Sequence, residues 1–225
     1  LMINDDVFLD KNSIESGLNL LIKNQEIGIV GGLLRDHKGF LTHAGVSFNL
    51  LNSPYHFFEY LIKLEDVNIF KRSFFVPAST GALMLSRKDT LAKVKFNELY
   101  NVCGEDIELC LDVRQILGKE IWICNKFSGI HEAETTRRNT PNQGKNLIDK
   151  RRISKRYSSF LNNSNTDSLL KEYNFNKNIF RSIFKLNIKS WSRRFHTDFW
   201  MLILLNMIKI YIKFIIKTKL ISRKF

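Results

Sequence analysis

EIGIVGGLLRDHKGFLTHAGVSF, residues 26–48, carries the reading that decides the fold class. Residues 26–30 read as a strand, with β-branched Ile27, Ile29 and Val30. Gly31-Gly32 punctuates it, and Leu33-Leu34 leads into Arg35-Asp36-His37-Lys38-Gly39, a turn. Residues 40–48 return as a second strand, so the stretch reads as a hairpin. Upstream, Leu1-Met2-Ile3 reads as the end of a buried strand, with Asn4-Asp5-Asp6 at its carboxyl end. Asn12 or Ser13 can then cap a helix, with Glu15 as the partner in a capping box. Ile14, Leu18, Leu21 and Ile22 give that helix one apolar face. Downstream, residues 74–78 and 81–86 read as strand segments around Ser79-Thr80-Gly81, and a short helix covers 87–94. A longer helix starts after Gly104 with Glu105-Asp106, buries Ile107, Cys110, Leu111 and Leu117, and stops at Gly118. Residues 120–124 form a strand, and His131 follows a Ser128-Gly129 turn. Strands alternating with helices predict an α/β domain.

Composition narrows the function classes. With 44% hydrophobic and 25% charged residues the chain is neither wholly disordered nor fibrous. No long stretch is free of charge, which excludes a protein that spans a bilayer several times. Three cysteines, Cys103, Cys110 and Cys124, without a C-x-x-C pair argue against a disulfide framework or a zinc finger and fit a reducing cytoplasm. The net charge of +13 is unevenly spread. Residues 1–135 hold 14 Lys+Arg against 18 Asp+Glu, a net −4, whereas residues 136–225 hold 21 against 4, a net +17. The second part therefore seeks an anionic surface, phospholipid or nucleic acid.

Five blocks in order carry a resemblance. Asn4-Asp5-Asp6-Val7-Phe8-Leu9 resembles the nucleotide-diphosphate and metal motif of GT-A glycosyltransferases of family 2. GGLLRDHKGFLTHAGVSF (31–48) resembles that family's G-x-L…G…A-G stretch. Ser79-Thr80-Gly81-Ala82 through Arg87 resembles its T-G-A strand followed by a basic residue. Gly104-Glu105-Asp106-Ile107-Glu108-Leu109-Cys110 resembles its G-E-D-x-D-L-C helix start, and residues 123–131 its strand ending in His. The resemblance spans residues 1–138 and implies a partial GT-A, Rossmann-like mixed sheet with flanking helices. It also implies that the nucleotide-binding half, two βαβ units of roughly 60–100 residues, belongs before Asn4. On that expectation residues 1–225 alone transfer little sugar.

The chemistry then falls on few residues. Transfer from a nucleotide sugar releases a diphosphate, and a hard divalent cation, Mg²⁺ or Mn²⁺, offsets its charge. The resemblance implies Asp6 as the metal ligand, with Asn4 and His131 as further ligands and Asp5 as a substrate contact. Asn4 stands where the motif usually has Asp, which shifts weight onto Asp6. Imidazole suits manganese better than magnesium. The acceptor hydroxyl must lose its proton, and a carboxylate at a helix N-terminus stays ionised for that work. Asp106 is the implied base and Glu105 its helper, while Gly81 and Ala82 line the site as small residues. Arg35 and Trp122 read as structural, His43 is uncertain, and His37, His56 and His196 give no signal.

Residues 139–178 read as a polar, basic linker and residues 179–225 as a basic amphipathic tail. Asn206, Lys209, Lys213 and Lys217 make a narrow polar stripe among aliphatic neighbours, so the segment predicts an interfacial helix rather than a span. Trp191, Trp200 and Arg193-Arg194 suit that interface. The combined expectation is an inverting, metal-dependent hexosyl- or deoxyhexosyltransferase. It acts in surface polysaccharide synthesis on a glycan or lipid-linked acceptor, peripheral at the cytoplasmic face of the cell membrane, with no nucleic-acid partner. The competing readings are a non-catalytic remnant and a basic nucleic-acid-binding module.

Overall fold

The computed structural model of the chain describes residues 1–48, 52–56, 59, 63–66, 68–100, 103–131 and 143–163. A first compact unit runs from Leu1 to Leu161. It is a mixed α/β structure built on one sheet. The strands are β1 (Met2–Ile3), β2 (Val7–Leu9), β3 (Ile27–Arg35), β4 (Leu41–His43), β5 (Val46–Phe48), β6 (Pro54–His56), β7 (Phe74–Val76), β8 (Leu83–Ser86) and β9 (Glu120–His131). The α-helices are α1 (Ser13–Lys23), α2 (Lys88–Lys93), α3 (Glu105–Leu117) and α4 (Gln143–Asn163).

The main sheet runs β1-β8-β3-β9-β2, with β4 on β3 and β7 on β9, while β5 and β6 pair separately. β3 and β9 are parallel, and β8 is antiparallel to β3. β3 is buried along its length except at Arg35, as an apolar strand covered on both faces must be. On one face Val30 and Leu85 join Leu21 of α1 in a cluster with Cys124 and Phe127. On the other, Gly31 packs so closely on Ser79 that an added Cβ would lie 2.0 Å from its Oγ. Ser79 in turn donates its N–H to Cys110 Sγ of α3 at 3.4 Å. Helix, sheet and helix therefore form three layers.

The expected hairpin is only partly formed. β3 runs through Gly31-Gly32 rather than stopping there, because both glycines are enclosed and the strand still has partners on each side. The return segment splits, with β4 pairing β3 and β5 turning away to pair β6. Gly45, at φ +106°, makes that break in a conformation few other residues tolerate.

The start of α1 also differs. Asn12 sits in the left-handed region at φ 59° and its side chain makes no capping bond. Ser13 instead ties the helix to β9: its Oγ donates to Ser128 O and accepts Ser128 N–H, both at 2.8 Å. The face turned to the sheet is Ser13, Gly17 and Leu21, while Ile14, Leu18 and Ile22 remain 40–58% exposed. Phe127 and Leu85 already occupy the space beside Gly17, where an added Cβ would come within 2.8 Å of both side chains. Nor is β1 a buried strand, for Leu1 and Ile3 are exposed at the sheet edge.

β9 continues past Cys124 where a turn was expected. Its register on β3 jumps from Gly32↔Cys124 to Leu33↔Ser128, so residues 125–127 bulge out and Phe127 drops into the core. The residues read as a polar linker, 139–178, hold α4 over Gln143–Asn163. Ile153, Tyr157 and Leu161 bury one stripe of that helix together with Asp149.

Candidate functional site

Two chain segments meet where β3 and β9 end, the carboxyl edge at which open α/β sheets hold ligands. The first is the acidic turn. Asn4 N–H donates to Ala82 O at 3.0 Å, fixing one end of the turn to the start of β8. Val7 pairs with His131, fixing the other end to the last residue of β9. Asn4-Asp5-Asp6 therefore spans from β8 to β9 across the sheet's end. Asn4 and Asp5 are exposed, whereas Asp6 turns inward. Asp6 Oδ1 lies 3.2 Å from His131 Nε2. That approach is not aligned as a hydrogen bond, and the oxygen is buried without one.

The second segment is the N-terminus of α3. Gly104 caps it at φ 111°, and an added Cβ there would lie 2.8 Å from Ile153 of α4. Both Asp106 oxygens accept backbone N–H groups, Oδ2 from Gly81 and Oδ1 from Ile107, each at 2.7 Å. An added Cβ at Gly81 would stand 3.3 Å from Asp106 Cβ, so the Asp106 side chain would have to give way by a few tenths of an ångström. Ala82 contributes only its carbonyl, because its methyl is in the core cluster.

A cavity of about 270 Å³ opens beside Asp106. Glu105, Thr80, His56, Glu59, Tyr55 and Lys150 are among its walls, but neither Asp6 nor His131 lines it. The predicted residues therefore fall into two groups at one sheet end: Asp6 with His131, and Asp106 with Glu105 and Gly81.

His43 stands between them, and its role was not legible beforehand. It is 2% exposed. Its Nε2 accepts Gly45 N–H at 3.2 Å and Thr80 N–H at 3.3 Å, and Ser79 Oγ is 3.2 Å away. Its Nδ1 meets His56 Nδ1 at 2.9 Å. Burial pushes His43 well below the ordinary imidazole range, and the nearby His56 and His131 push the same way. A signal existed in the sequence, a His flanked by Thr and Ala-Gly, but nothing in it pointed to His56.

The remaining polar residues are structural. Arg35 pairs bidentately with Asp10, both bonds 2.7 Å, and Ser128 Oγ donates to the same carboxylate at 2.6 Å. The Arg35 hydrogen bond, more than any other influence, holds the Asp10 carboxyl below the usual carboxylate range. A lowered pKa in the folded state means stability that is present above the unfolded value, about 3.9, and lost as pH falls through the folded one. Asp10→Asn is accordingly expected to cost about 1 kcal/mol near neutrality. Urea unfolding of both proteins should show that difference shrinking towards zero as the pH drops below about 4; a difference constant with pH would contradict it. Trp122 donates to Glu120 at 2.8 Å, and Arg87 binds the carbonyls of Ile27, Leu21 and Asn24 beside the end of α1. Burial pushes the Cys110 thiol up to about 12, so it is no nucleophile.

Asp6 and His131 fit a divalent cation that also binds phosphate, since such ions take one or two protein ligands and complete their shell with phosphate and water. The buried Asp6 oxygen without a hydrogen bond is the observation that favours it. Among the described residues no group of three or more His, Cys, Asp or Glu gathers as a self-sufficient metal site. No described helix is long and apolar enough to cross a membrane. His196, Trp191, Trp200 and the Lys209, Lys213 and Lys217 stripe lie outside the described residues. Compared with known proteins, the chain matches no family model, no curated protein and no solved structure.

Proposed function

We propose that the protein belongs to a sugar-transfer enzyme of the GT-A type. In this reading Asp6 and His131 hold the diphosphate end of a nucleotide sugar through a divalent cation, and Asp106 takes the proton of the acceptor hydroxyl. The observation that carries the reading is the acidic turn tied at one end to β8, beside Gly81 and Asp106, and at the other to His131. A cation bound there supplies positive charge against the charge developing on the leaving group. Asp106, at the start of α3, lines a cavity large enough for part of a sugar. Glu105 borders the same space and orients the acceptor. Inversion at the anomeric carbon, a lipid-linked acceptor and work on surface polysaccharide belong to the same proposal and rest on the resemblance of the five sequence blocks.

The test is binding rather than turnover. Mn²⁺ titrated with a nucleoside diphosphate should broaden the His131 ring signals, and calorimetry should show metal-dependent binding. Loss of an outer-shell partner alone typically weakens metal sites about 10–100-fold, so Asp6→Ala should cost at least about tenfold. Mn²⁺ binding unaffected by Asp6→Ala would remove the cation from this pair.

The proposal includes attachment to an anionic membrane through residues 179–225. Lys209, Lys213 and Lys217 each add about 1 kcal/mol near such a surface. Changing all three to Glu should release the protein from anionic liposomes in co-sedimentation. Equal sedimentation with neutral and anionic vesicles, unaffected by the three substitutions, would place the affinity elsewhere. It would also reopen the nucleic-acid reading, which a salt-dependent oligonucleotide titration addresses.

A further inference from the structure

The outer surface of α1 carries a pattern that the fold itself does not use. Ile14, Leu18 and Ile22 are 40%, 43% and 58% exposed. Their spacing of four residues sets them in one row along the helix. Glu15, Asn19 and Lys23 form a second row beside it, and all three are exposed. The helix packs on the sheet through Ser13, Gly17 and Leu21 instead. A single exposed aliphatic is ordinary, but a continuous row of three is a surface that association would cover.

The symmetry of the two rows names the cover. Ile-Leu-Ile reads the same from either end, and Glu-Asn-Lys carries its acid at one end and its base at the other. A second α1 laid antiparallel across a twofold axis sets Leu18 against the partner's Leu18, and Ile14 against the partner's Ile22. In the neighbouring row Asn19 meets the partner's Asn19, and Glu15 meets the partner's Lys23. The two rows centre one residue apart, about 1.5 Å along the helix, which side chains of this length absorb. A twofold contact uses one patch twice, so that patch must complement itself, and this one does. Parallel pairing would instead set Glu15 against Glu15 and Lys23 against Lys23. An anionic membrane gains nothing from a row whose charges cancel.

We infer that α1 pairs antiparallel with α1 of a second copy of this chain and makes a twofold dimer. The contact is one helix wide, which places it among small, transient interfaces. The inference goes beyond the transferase reading and does not rest on it. No α1 residue lines the cavity beside Asp106, so each copy keeps its own.

The experiment uses the full chain in sedimentation velocity, from about 5 to about 500 µM. It should show a monomer–dimer equilibrium with a dissociation constant on the order of 100 µM. Leu18→Lys puts two ammonium groups at the axis and should leave only monomer over this range. Glu15→Lys or Lys23→Glu alone turns both Glu–Lys contacts into like-charge contacts, and each should weaken dimerisation at least about tenfold. An equal mixture of those two single variants should dimerise again, since one chain is then basic along the row and the other acidic. The variant carrying both changes should recover as well. Every substituted side chain is exposed, and circular dichroism checks that each variant is folded. A wild-type chain that stays monomeric throughout overturns the inference. So does association that Leu18→Lys and the two single charge reversals leave unchanged, or a mixture of the single variants that remains monomeric.

Discussion

Arg156→Ala is expected to lower the unfolding free energy by about 3 kcal/mol, the low end of the range for breaking a buried ion pair. Arg156 of α4 reaches Glu108 and Asp112 on α3, the latter at 3.2 Å. Glu108 is 1% exposed and Asp112 7%. Burial opposes the charge of Arg156, but Tyr157, Glu108 and Asp112 outweigh it and raise its pKa. Without the guanidinium, two carboxylates stay in the interior facing only neutral donors. Asn97 and Tyr100 still serve Glu108, and Tyr157 still serves Asp112 at 2.6 Å. Those bonds, and the partial exposure of Arg156, keep the expected loss from being larger. Urea unfolding of the single variant and of Arg156→Met with Glu108→Gln measures it, and the double variant should recover part of the loss. A cost below about 1 kcal/mol would mean that the pair is screened like a surface one.

Under the proposed function, in which Asp106 is the general base, Asp106→Asn is expected to cut transfer by about 10²–10⁴-fold. Donor binding, measured calorimetrically with the nucleotide sugar, should persist because Asp6 and His131 are untouched. A second effect follows from the hydrogen bonds. Both Asp106 oxygens accept N–H groups, and the new amide turns one of them into a donor facing a donor. The variant should therefore also lose about 1–3 kcal/mol of stability. Near-normal turnover by Asp106→Asn would transfer the role to Glu105.

What the sequence made legible was whatever local chemistry settles. α3 shows its first turn by Glu105-Asp106 and its end by Gly118, which adopts φ 63° and sends its N–H back to Val113 O. The mixed α/β class follows from apolar strand runs set between such helices. α4 was missed because its buried positions recur every four residues as Asp149, Ile153, Tyr157 and Leu161, a stripe that opens on a carboxylate among many basic residues. Periodicity counts apolar residues and gives no weight to an Asp held by Arg152 and the Cys103 N–H. The face of α1 was misjudged for the opposite reason. Its larger aliphatics look like the buried side, yet Phe127 arrives from over a hundred residues away and leaves room only for Gly17. In the candidate site, Asp6, Asp106 and His131 could be ordered from the sequence, but their division into two groups could not. That division depends on the β1–β8 and β2–β9 pairings. His56 carried no local sign because the His43 ring it meets lies 13 positions away in the chain.

The bulge at residues 125–127 splits β9 into two lengths measured by different rulers. Before it, Ile121, Trp122 and Ile123 take their positions from β7 and from the first half of β3. After it, Gly129, Ile130 and His131 are indexed by β2, by the second half of β3 and by the Ser13–Ser128 tie. Small changes in how the core packs around the first length need not propagate along the strand, because the bulge interrupts its alternation. His131 and the acidic turn beside it are thus surveyed from their own end of the sheet, and the hydrophobic interior is free to drift in sequence without re-aiming them.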